Sequence, residues 1–321
     1  LLMPTATADN VVETGSPWVF RICAGSGAYA TATVDFLKAM GAPNDLQPDR
    51  FYYDFARQLI AREHAAGPLF AFVYVTARGV FIANINGNRV GKEFLSPEWS
   101  DYRKRIQYFT YDVTSQISKG ANCLGIIIGD GWYKGYVGYA LKPNNYGDQT
   151  SALLQLHLEY TDSTEEIVGT DVTWKGTYGP ILYSDMLMGE SYHARREMRG
   201  WDKPGFDDAH WQSVNVFPAP DVRLVPLRTE PVRITQILKP KKVSEPVKGT
   251  FVFDFGQNIA GFCQLKIRGQ AGTKVTMRHA EVLNPDGTIY TTNLRRAKAT
   301  DTYVLQGGRE EVFQPHFTFH G

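Results

Sequence analysis

The spacing of hydrophobic residues changes character near residue 69. Before that point, the stretch "FYYDFARQLIAREHAAGP" places Phe51, Phe55 and Leu59 on one side at a spacing typical of a helix. Arg57 falls largely on the opposite side, and Gly67 followed by a proline would end the helix. The pattern therefore predicts a helix here, and a second, shorter helix is predicted earlier, at "TVDFLKAMGAP".

From Leu69 onward, hydrophobic positions recur with a period of two, which is typical of β-strands. In "FAFVYVTARGVFIANINGNRVGKEFL", the dipeptide Asn86-Gly87 accepts positive φ at both centres of a type I′ turn, so it predicts a hairpin. A further turn is predicted at Thr161-Asp162-Ser163. Other strands are predicted at even spacing in "RIQYFTYDV", "NCLGIIIGDGW" and "ALLQLHLEYTDSTEEIVGT".

Two interruptions divide this strand-rich region. "GWDKPGFDDAHWQSV" mixes glycine, proline and aspartate in a way that excludes a regular strand or helix, and the proline-rich "VPLRTEPVRITQILKPKKVSEPVKG" predicts a linker. The final "VFQPHFTFHG" carries no terminating signal, so we expect its domain to continue. We predict a partly helical N-terminal segment of open role at 1–68, a β-domain at 69–239 and a second β-domain at 240–321.

Composition and charge narrow the class of partner. The chain has 34 Lys plus Arg against 33 Asp plus Glu and no long basic run, which argues against nucleic acid or an acidic membrane as a partner. No apolar run approaches the ~20 residues of a membrane span. The start, "LLMPTATADN", lacks the features of a signal peptide, so the localisation of the parent protein stays open between periplasmic, secreted and cytoplasmic. Abundant aromatic residues, together with 30 Gly and 17 Pro, are typical of β-sandwiches.

The three cysteines, Cys23, Cys123 and Cys263, are far apart and form no CxxC or cysteine–histidine pair. This spacing argues against a disulfide framework and against a zinc site. We interpret the three side chains as buried thiols.

Eight sequence blocks, in order, resemble the N-terminal, non-catalytic portion of the bacterial α-L-rhamnosidases of glycoside hydrolase family 78. The likeness covers residues 69–321, whereas residues 1–68 depart from the family pattern. The blocks are "YVTARGVFIANINGNRVG", "WSDYRKRIQYFTYDVT", "GDGWYKG", "DMLMGESYHARRE", "GWDKPGFDDAHW", "FDFGQNIAGF", "RHAEVLNPDGTIYTTNLRRAKATDTYVLQG" and "PHFTFHG".

The resemblance implies a mainly β chain: a jelly-roll with carbohydrate-binding-module character at roughly 69–235, followed by a second β-sandwich at roughly 240–321. In the family, an (α/α)₆ barrel follows and carries the carboxylates for inverting hydrolysis of terminal, non-reducing α-L-rhamnose. That barrel is absent from this sequence, so the resemblance implies an accessory part of a rhamnosidase, itself without the catalytic residues. Its implied partners are terminal L-rhamnose and the catalytic domain, and no cofactor is required.

The segment "GDGWYKGYVGYALKPNNYGD" is the main candidate for sugar binding. Trp132 and Tyr133 offer flat apolar faces to sugar C–H groups, and Asn144, Asn145 and Asp148 offer polar partners to hydroxyls. The alternative is that these aromatic side chains fill the jelly-roll core or the seam between domains.

Some family members bind rhamnose through calcium in this module. The matching block here supplies Asp185 and Glu190 as candidate oxygen ligands for such an ion. Met186 and Met188 flank them, and His193 stands where the family often has aspartate, so fewer calcium ligands remain.

Other acidic residues are candidates for the two carboxylates that a glycosidase needs for catalysis. Asp207 and Asp208 follow a Pro-Gly-Phe turn and are interpreted as loop-capping side chains. Asp254 and Glu281 each lie beside a turn, where carboxylates commonly tie down loops. Two alternatives remain open: a self-sufficient glycosidase that uses Asp254 and Glu281, and a stand-alone, lectin-like sugar-binding protein.

Overall fold

The computed structural model describes residues 55–62, 68–216 and 221–321. The helix predicted at 33–43 and most of the N-terminal segment lie outside these residues. Within them, regular structure is almost entirely β: the one α-helix, α1 (Gly131–Lys134), is a single turn, and no helix could cross a membrane. Short 3₁₀ turns occur at Thr114–Gln116, Ala194–Arg196 and Thr292–Leu294. The mainly β prediction is confirmed.

The strands fall into two groups along the chain, which we call the first unit (described residues 55–226) and the second unit (242–321). The first unit contains β1 (Phe55–Arg62), β2 (Pro68–Arg78), β3 (Val80–Ile85), β4 (Asn88–Arg89), β5 (Arg105–Asp112), β6 (Gly120–Gly129), β7 (Ser151–Tyr160), β8 (Glu165–Gly169), β9 (Lys175–Thr177), β10 (Ile181–Asp185), β11 (Gly189–His193), β12 (Gln212–Ser213) and β13 (Arg223–Pro226). The second unit contains β14 (Lys242–Val247), β15 (Thr250–Asp254), β16 (Leu265–Arg268), β17 (Lys274–Arg278), β18 (Thr300–Val304) and β19 (Glu310–Phe313).

The first unit is a sandwich of two sheets. One sheet has the order β12-β9-β1-β6-β3-β4, and the other has the order β13-β5-β2-β7-β8. Their facing sides share one core, since Ala83 of β3 and Ile126 of β6 belong to the same buried cluster as Val73 of β2 and Leu156 of β7. The apolar side chains at alternate positions of these strands form the core between the two sheets.

The hairpin predicted at Asn86-Gly87 is confirmed. Strands β3 and β4 pair antiparallel, and the two turn residues have φ of 53° and 81°. The second predicted turn is also present, because Ser163 has φ of 66° between the paired strands β7 and β8. Positive φ suits glycine and asparagine best, so the sequence signal and the geometry agree at the first turn.

The helix predicted over "FYYDFARQLIAREHAA" is wrong at residues 55–62, which form strand β1. This strand lies between β9 and β6, in the middle of its sheet. Both of its faces are covered: Ala56 packs in the core between the sheets, and Phe55 packs in a cluster on the other side. Arg57, predicted to be exposed, is 2% exposed and pairs with Asp208. Burial on both faces removes the period-two alternation, so apolar residues four apart resembled one face of a helix.

A mixed sheet joins the two units. Its order is β10-β11-β18-β17, with β11 parallel to β18 from Ser191–Thr302 to His193–Val304. Buried Phe317 of the second unit also packs in the cluster that covers the outer face of the six-stranded sheet. The units are therefore connected by strand pairing and by shared core, in addition to the chain between them.

The remaining strands of the second unit form two-stranded sheets, β14-β15 and β16-β19. Apolar side chains of the first of these ribbons are mostly open to solvent: Val243 is 53%, Phe251 57% and Phe253 55% exposed. Exposed neighbouring apolar residues of this size are typical of a surface that contacts another protein segment.

Candidate carbohydrate-binding site

The candidate site begins where β6 ends. Gly131, with φ of 54°, turns the chain into α1, and its Cβ position is closed by Val80, so a larger residue would not fit. The loop that follows returns to this helical turn, since the N–H of Asn144 donates to the carbonyl of Lys134 at 2.7 Å. The N–H of Tyr146 likewise donates to the carbonyl of Tyr133. The segment 131–148 is thereby folded as one unit over the five-stranded sheet.

Trp99 completes an aromatic surface at this loop. Its ring stacks on Trp132 with centroids 6.3 Å apart and an interplanar angle of 4°. Its indole N–H donates to the hydroxyl of Tyr146 at 3.1 Å, while 52% of the residue stays exposed. A flat indole face held in place and open to solvent is suited to stacking on a sugar ring.

The predicted sugar-binding residues fall into two groups. Asn144, Asn145 and Asp148 are exposed on the loop, whereas Trp132 is half-buried against the aromatic layer of the first unit. Tyr133 is only 8% exposed and packs edge-on against Tyr102 in the aromatic layer of the first unit. For Tyr133 the position agrees with the core-filling alternative, and sugar binding by the other four stays a prediction.

Sequence reasoning missed Trp99, which lies about thirty residues before the aromatic segment in "SPEWSDYRKR". A single tryptophan in a polar stretch is a weak signal on its own. Only the fold places it against Trp132 and Tyr146.

The two residues considered as calcium ligands are both buried and already engaged. One oxygen of Asp185 accepts the N–H groups of Leu187 and Met188, and the other accepts that of Tyr136, all at 2.7–2.8 Å. One oxygen of Glu190 accepts two backbone N–H groups, and the other contacts an imidazole nitrogen at 2.9 Å. Calcium takes about six to eight oxygen ligands, and the hydrogen bonds that these two carboxylates already accept leave them fewer lone pairs for an ion. Calcium binding at Asp185 and Glu190 stays a prediction.

A shallow pocket of about 230 Å³ lies beside the same loop. Asp130 stands close to it, and burial raises the pKa of this carboxyl, although Lys134 opposes the shift and the charge of Asp185 adds to it. Burial also raises the pKa of Tyr183 in the pocket wall. The pocket is polar and cationic on the side of the second unit, and its lining residues are Tyr136, Leu141, Tyr183, Met188, Arg296 and Lys298.

Asp208 and Asp254, two of the acidic residues considered for a glycosidase pair, make structural contacts. Asp208 pairs with buried Arg57 and with Lys175, the latter at 2.8 Å. Asp254 accepts the N–H of Gly256 at 2.7 Å and so closes the turn after β15. Asp254 and Glu281 are both exposed to solvent.

The packed sheets place the chain among mainly β proteins built on a β-sandwich. A family model described as the alpha-L-rhamnosidase N-terminal domain matches residues 68–236. The model of the bacterial alpha-L-rhamnosidase concanavalin-like domain matches residues 244–321. The chain belongs to the alpha-L-rhamnosidase family, which confirms the resemblance read from the sequence blocks.

Individual relatives agree with this assignment. An alpha-L-rhamnosidase of Streptomyces avermitilis is 51% identical over 255 residues, which cover 78% of this chain and 24% of the relative. One from an Alteromonas species is 40% identical over 254 residues, 78% of this chain and 27% of its own. The chain thus spans about a quarter of the length of these curated relatives.

Solved structures show the same fold. The crystal structure of Streptomyces avermitilis alpha-L-rhamnosidase in complex with L-rhamnose matches with a TM-score of 0.81 at 48% identity, covering 84% of this chain and 26% of that one. The native rhamnosidase of Aspergillus terreus matches with a TM-score of 0.79 at 34% identity, covering 86% of this chain and 32% of the other.

Proposed function

We propose that this chain is the N-terminal accessory part of an alpha-L-rhamnosidase, a glycosidase that removes terminal, non-reducing α-L-rhamnose from rhamnosides by an inverting mechanism. In this proposal, the first unit offers a weak sugar-binding surface, and both units position a catalytic domain. The observation that carries the proposal is the match of successive stretches to the two rhamnosidase domain families.

The contacts of the acidic residues support an accessory role. Inverting hydrolysis needs two carboxyl groups about 6.5–9.5 Å apart, one of them protonated and one free to activate water. Asp208 is neutralised by two cations, and Asp185 is surrounded by N–H donors. The oxygens of both side chains are already engaged with protein donors, so neither is free to bind and activate a water molecule.

The exposed apolar residues of β14 and β15 support the second part of the proposal. Phe251 and Phe253 are each more than half exposed. The relatives are much longer than this chain, which covers 24% of the Streptomyces avermitilis protein. We infer that the ribbon β14-β15 contacts further parts of a rhamnosidase chain, where burial of these rings would be favourable.

A hydrolysis assay tests the accessory role. The purified 321-residue chain, incubated with p-nitrophenyl α-L-rhamnoside, should release no p-nitrophenol above the buffer rate, whereas a complete rhamnosidase assayed in parallel should. Robust turnover by this chain alone would contradict the proposal and favour a self-sufficient glycosidase. In that event, Asp254→Asn and Glu281→Gln would show whether those two residues are responsible.

Titration with L-rhamnose tests the sugar-binding surface separately. We expect a dissociation constant near the millimolar range, because a single stacking platform with a few hydroxyl partners gives little affinity. Trp99→Ala should weaken binding about tenfold, and Tyr290→Ala, which removes an exposed ring from the second unit, should not. If both variants bind L-rhamnose equally well, Trp99 is not part of a sugar-binding site. The accessory role would be unaffected by that result, because the hydrolysis assay tests it. Titrations with and without calcium would show whether an ion contributes.

A further inference from the structure

Two histidines and an aspartate from three separate segments meet in the second unit. His279 follows β17, Asp301 lies in β18, and His320 is near the end of the sequence. One ligand atom from each lies within 4.8 Å of the others. The side chains of Asp301 and His320 are 0% and 3% exposed, and that of His279 is 12% exposed. The three side chains are therefore enclosed by protein, and His279 is the most accessible of them.

The distances match a small metal ion. Nε2 of His320 is 3.0 Å and Nε2 of His279 is 3.9 Å from the same oxygen, Oδ2 of Asp301. Tetrahedral zinc bonds imidazole nitrogen and carboxylate oxygen at about 2.0–2.2 Å, which puts neighbouring ligand atoms ~3.3 Å apart. The two observed separations fall on either side of this value, so shifts of a few tenths of an ångström would accommodate an ion.

The hydrogen bond of His279 fixes which nitrogen is available. Its Nδ1 lies 3.2 Å from the carbonyl oxygen of Ala299, and a carbonyl can only accept, so Nδ1 carries the proton. In the neutral ring, Nε2 is then a bare lone pair facing the Asp301 carboxylate. Two lone pairs facing each other are unfavourable unless a proton or a metal ion lies between them, and a bound ion would also replace the proton that His320 Nε2 shares with Asp301. A backbone carbonyl holding Nδ1–H is also the usual support for a metal-binding histidine.

The two imidazole rings are held face to face, with centroids 4.0 Å apart and an interplanar angle of 11°. This stacking presents both Nε2 atoms to the same carboxylate. The other oxygen of Asp301 accepts the N–H of Glu190 at 2.8 Å, so the carboxylate is fixed in orientation.

We propose that His279, Asp301 and His320 form a binding site for a divalent transition-metal ion of the zinc class. The ion fastens β17, β18 and the segment around His320 to one another, next to the sheet that joins the units. Two imidazoles with one carboxylate suit zinc and cobalt, whereas calcium prefers oxygen ligands. No zinc-ligand spacing is visible in the sequence, because the ligands are 19 to 41 residues apart and only the strand pairing brings them together.

Metal titration tests the site directly. The metal-free 321-residue chain, titrated with Zn²⁺ in a calorimeter or against a chromophoric chelator, should bind about one ion per chain at this cluster. His279→Gln should weaken this binding at least ~100-fold, since it removes one of three ligands. His210→Gln, which removes an exposed histidine elsewhere, is the matched control and should bind as the wild type does. Calcium should not compete.

Asp301→Asn provides a second variant that keeps side-chain size and an oxygen for the Glu190 N–H. It should also weaken Zn²⁺ binding, and circular dichroism would show that both variants are folded. With Co²⁺, the wild type should show the visible absorption of a tetrahedral ion, and His279→Gln should not. Equal Zn²⁺ affinity in wild type and His279→Gln, or the absence of stoichiometric binding by folded wild type, would overturn the proposal.

Discussion

In the first unit, β7 buries Leu154, Leu156 and Leu158 between two sheets, whereas in the second unit β15 leaves Phe251 and Phe253 more than half exposed. Both strands are rich in apolar residues, so the difference lies in what covers them. In the first unit, the apolar inner face of each sheet is covered by the other sheet. The described residues of the second unit have a smaller buried cluster around Tyr303, Leu305 and Phe313, and they are also joined to the first unit by the pairing of β11 with β18.

The two units are therefore stabilised by different means. A core shared between two sheets stabilises the first unit through burial of apolar area. The second unit is stabilised at the joining sheet, where Glu190 accepts the N–H groups of His316 and Phe317. Removing a contact should therefore have very different effects in the two places.

The largest effect is expected from Glu190→Ala, which breaks the connection between the units. Glu190 is 1% exposed, and its carboxylate accepts two backbone N–H groups and contacts the imidazole of His316. Leaving those groups unpaired should lower the free energy of unfolding by about 4 kcal/mol. Urea unfolding would measure the loss. Glu190→Gln, which retains one oxygen, should lose about half as much, and equal losses would show that the hydrogen bonds are not the cause.

A matched pair of core and ribbon substitutions comes next. Leu156→Ala removes a 0% exposed side chain from the first core and should lower the free energy of unfolding by about 3 kcal/mol. Phe251→Ala removes a larger side chain that is 57% exposed, and it should change that free energy by less than about 0.5 kcal/mol. Thermal or urea unfolding checks both. A loss for Phe251→Ala as large as that for Leu156→Ala would contradict the comparison.

A smaller, pH-dependent effect is expected from Asp208→Asn. Burial raises the pKa of Asp208, but the hydrogen bond from Lys175 and the charge of Arg57 outweigh it, so the net pKa is below its usual value. A carboxyl with a lowered folded-state pKa stabilises the protein above its unfolded pKa of about 3.9, and this contribution is lost as pH falls through the folded value. Asp208→Asn should therefore lower stability by about 2 kcal/mol at pH 7.

The difference between wild type and Asp208→Asn should shrink below about pH 4, as urea unfolding across pH would show. Asp207→Asn is the control, since Asp207 is exposed and only accepts the N–H of Ala209. A difference that stays constant down to low pH would show that the Asp208 charge is not responsible.

The sequence predicted the parts of the fold that local rules determine. Alternating apolar positions and Asn86-Gly87 predicted the β3-β4 hairpin because the signal lies within a few residues. Strand β1 was missed because it is covered on both faces, and Arg57 reads as an exposed residue until Asp208, 151 positions away, is brought beside it. Of the three cysteines predicted to be buried, Cys123 is buried, Cys263 is half-buried, and Cys23 lies outside the described residues.

The candidate sites also divide into features formed by neighbouring residues and features formed by residues far apart in the sequence. The aromatic loop was predicted because its residues are neighbours in sequence, whereas Trp99 was found only by its stacking on Trp132. The cluster of His279, Asp301 and His320 has no sequence signature, since its ligands come from separate segments. Residues that act together at a distance along the chain are found only when the strand pairing is known.

Native-state hydrogen exchange of the whole chain tests the comparison between the units most directly. Amides of β7 should exchange only through global unfolding, those of β18 should exchange faster, and those of β14 and β15 fastest, because little apolar contact protects that ribbon. In Glu190→Ala, the amides of β18 should exchange faster than in the wild type. The amides of β7 should still exchange only through global unfolding. Protection of β14 and β15 equal to that of β7 would contradict the account.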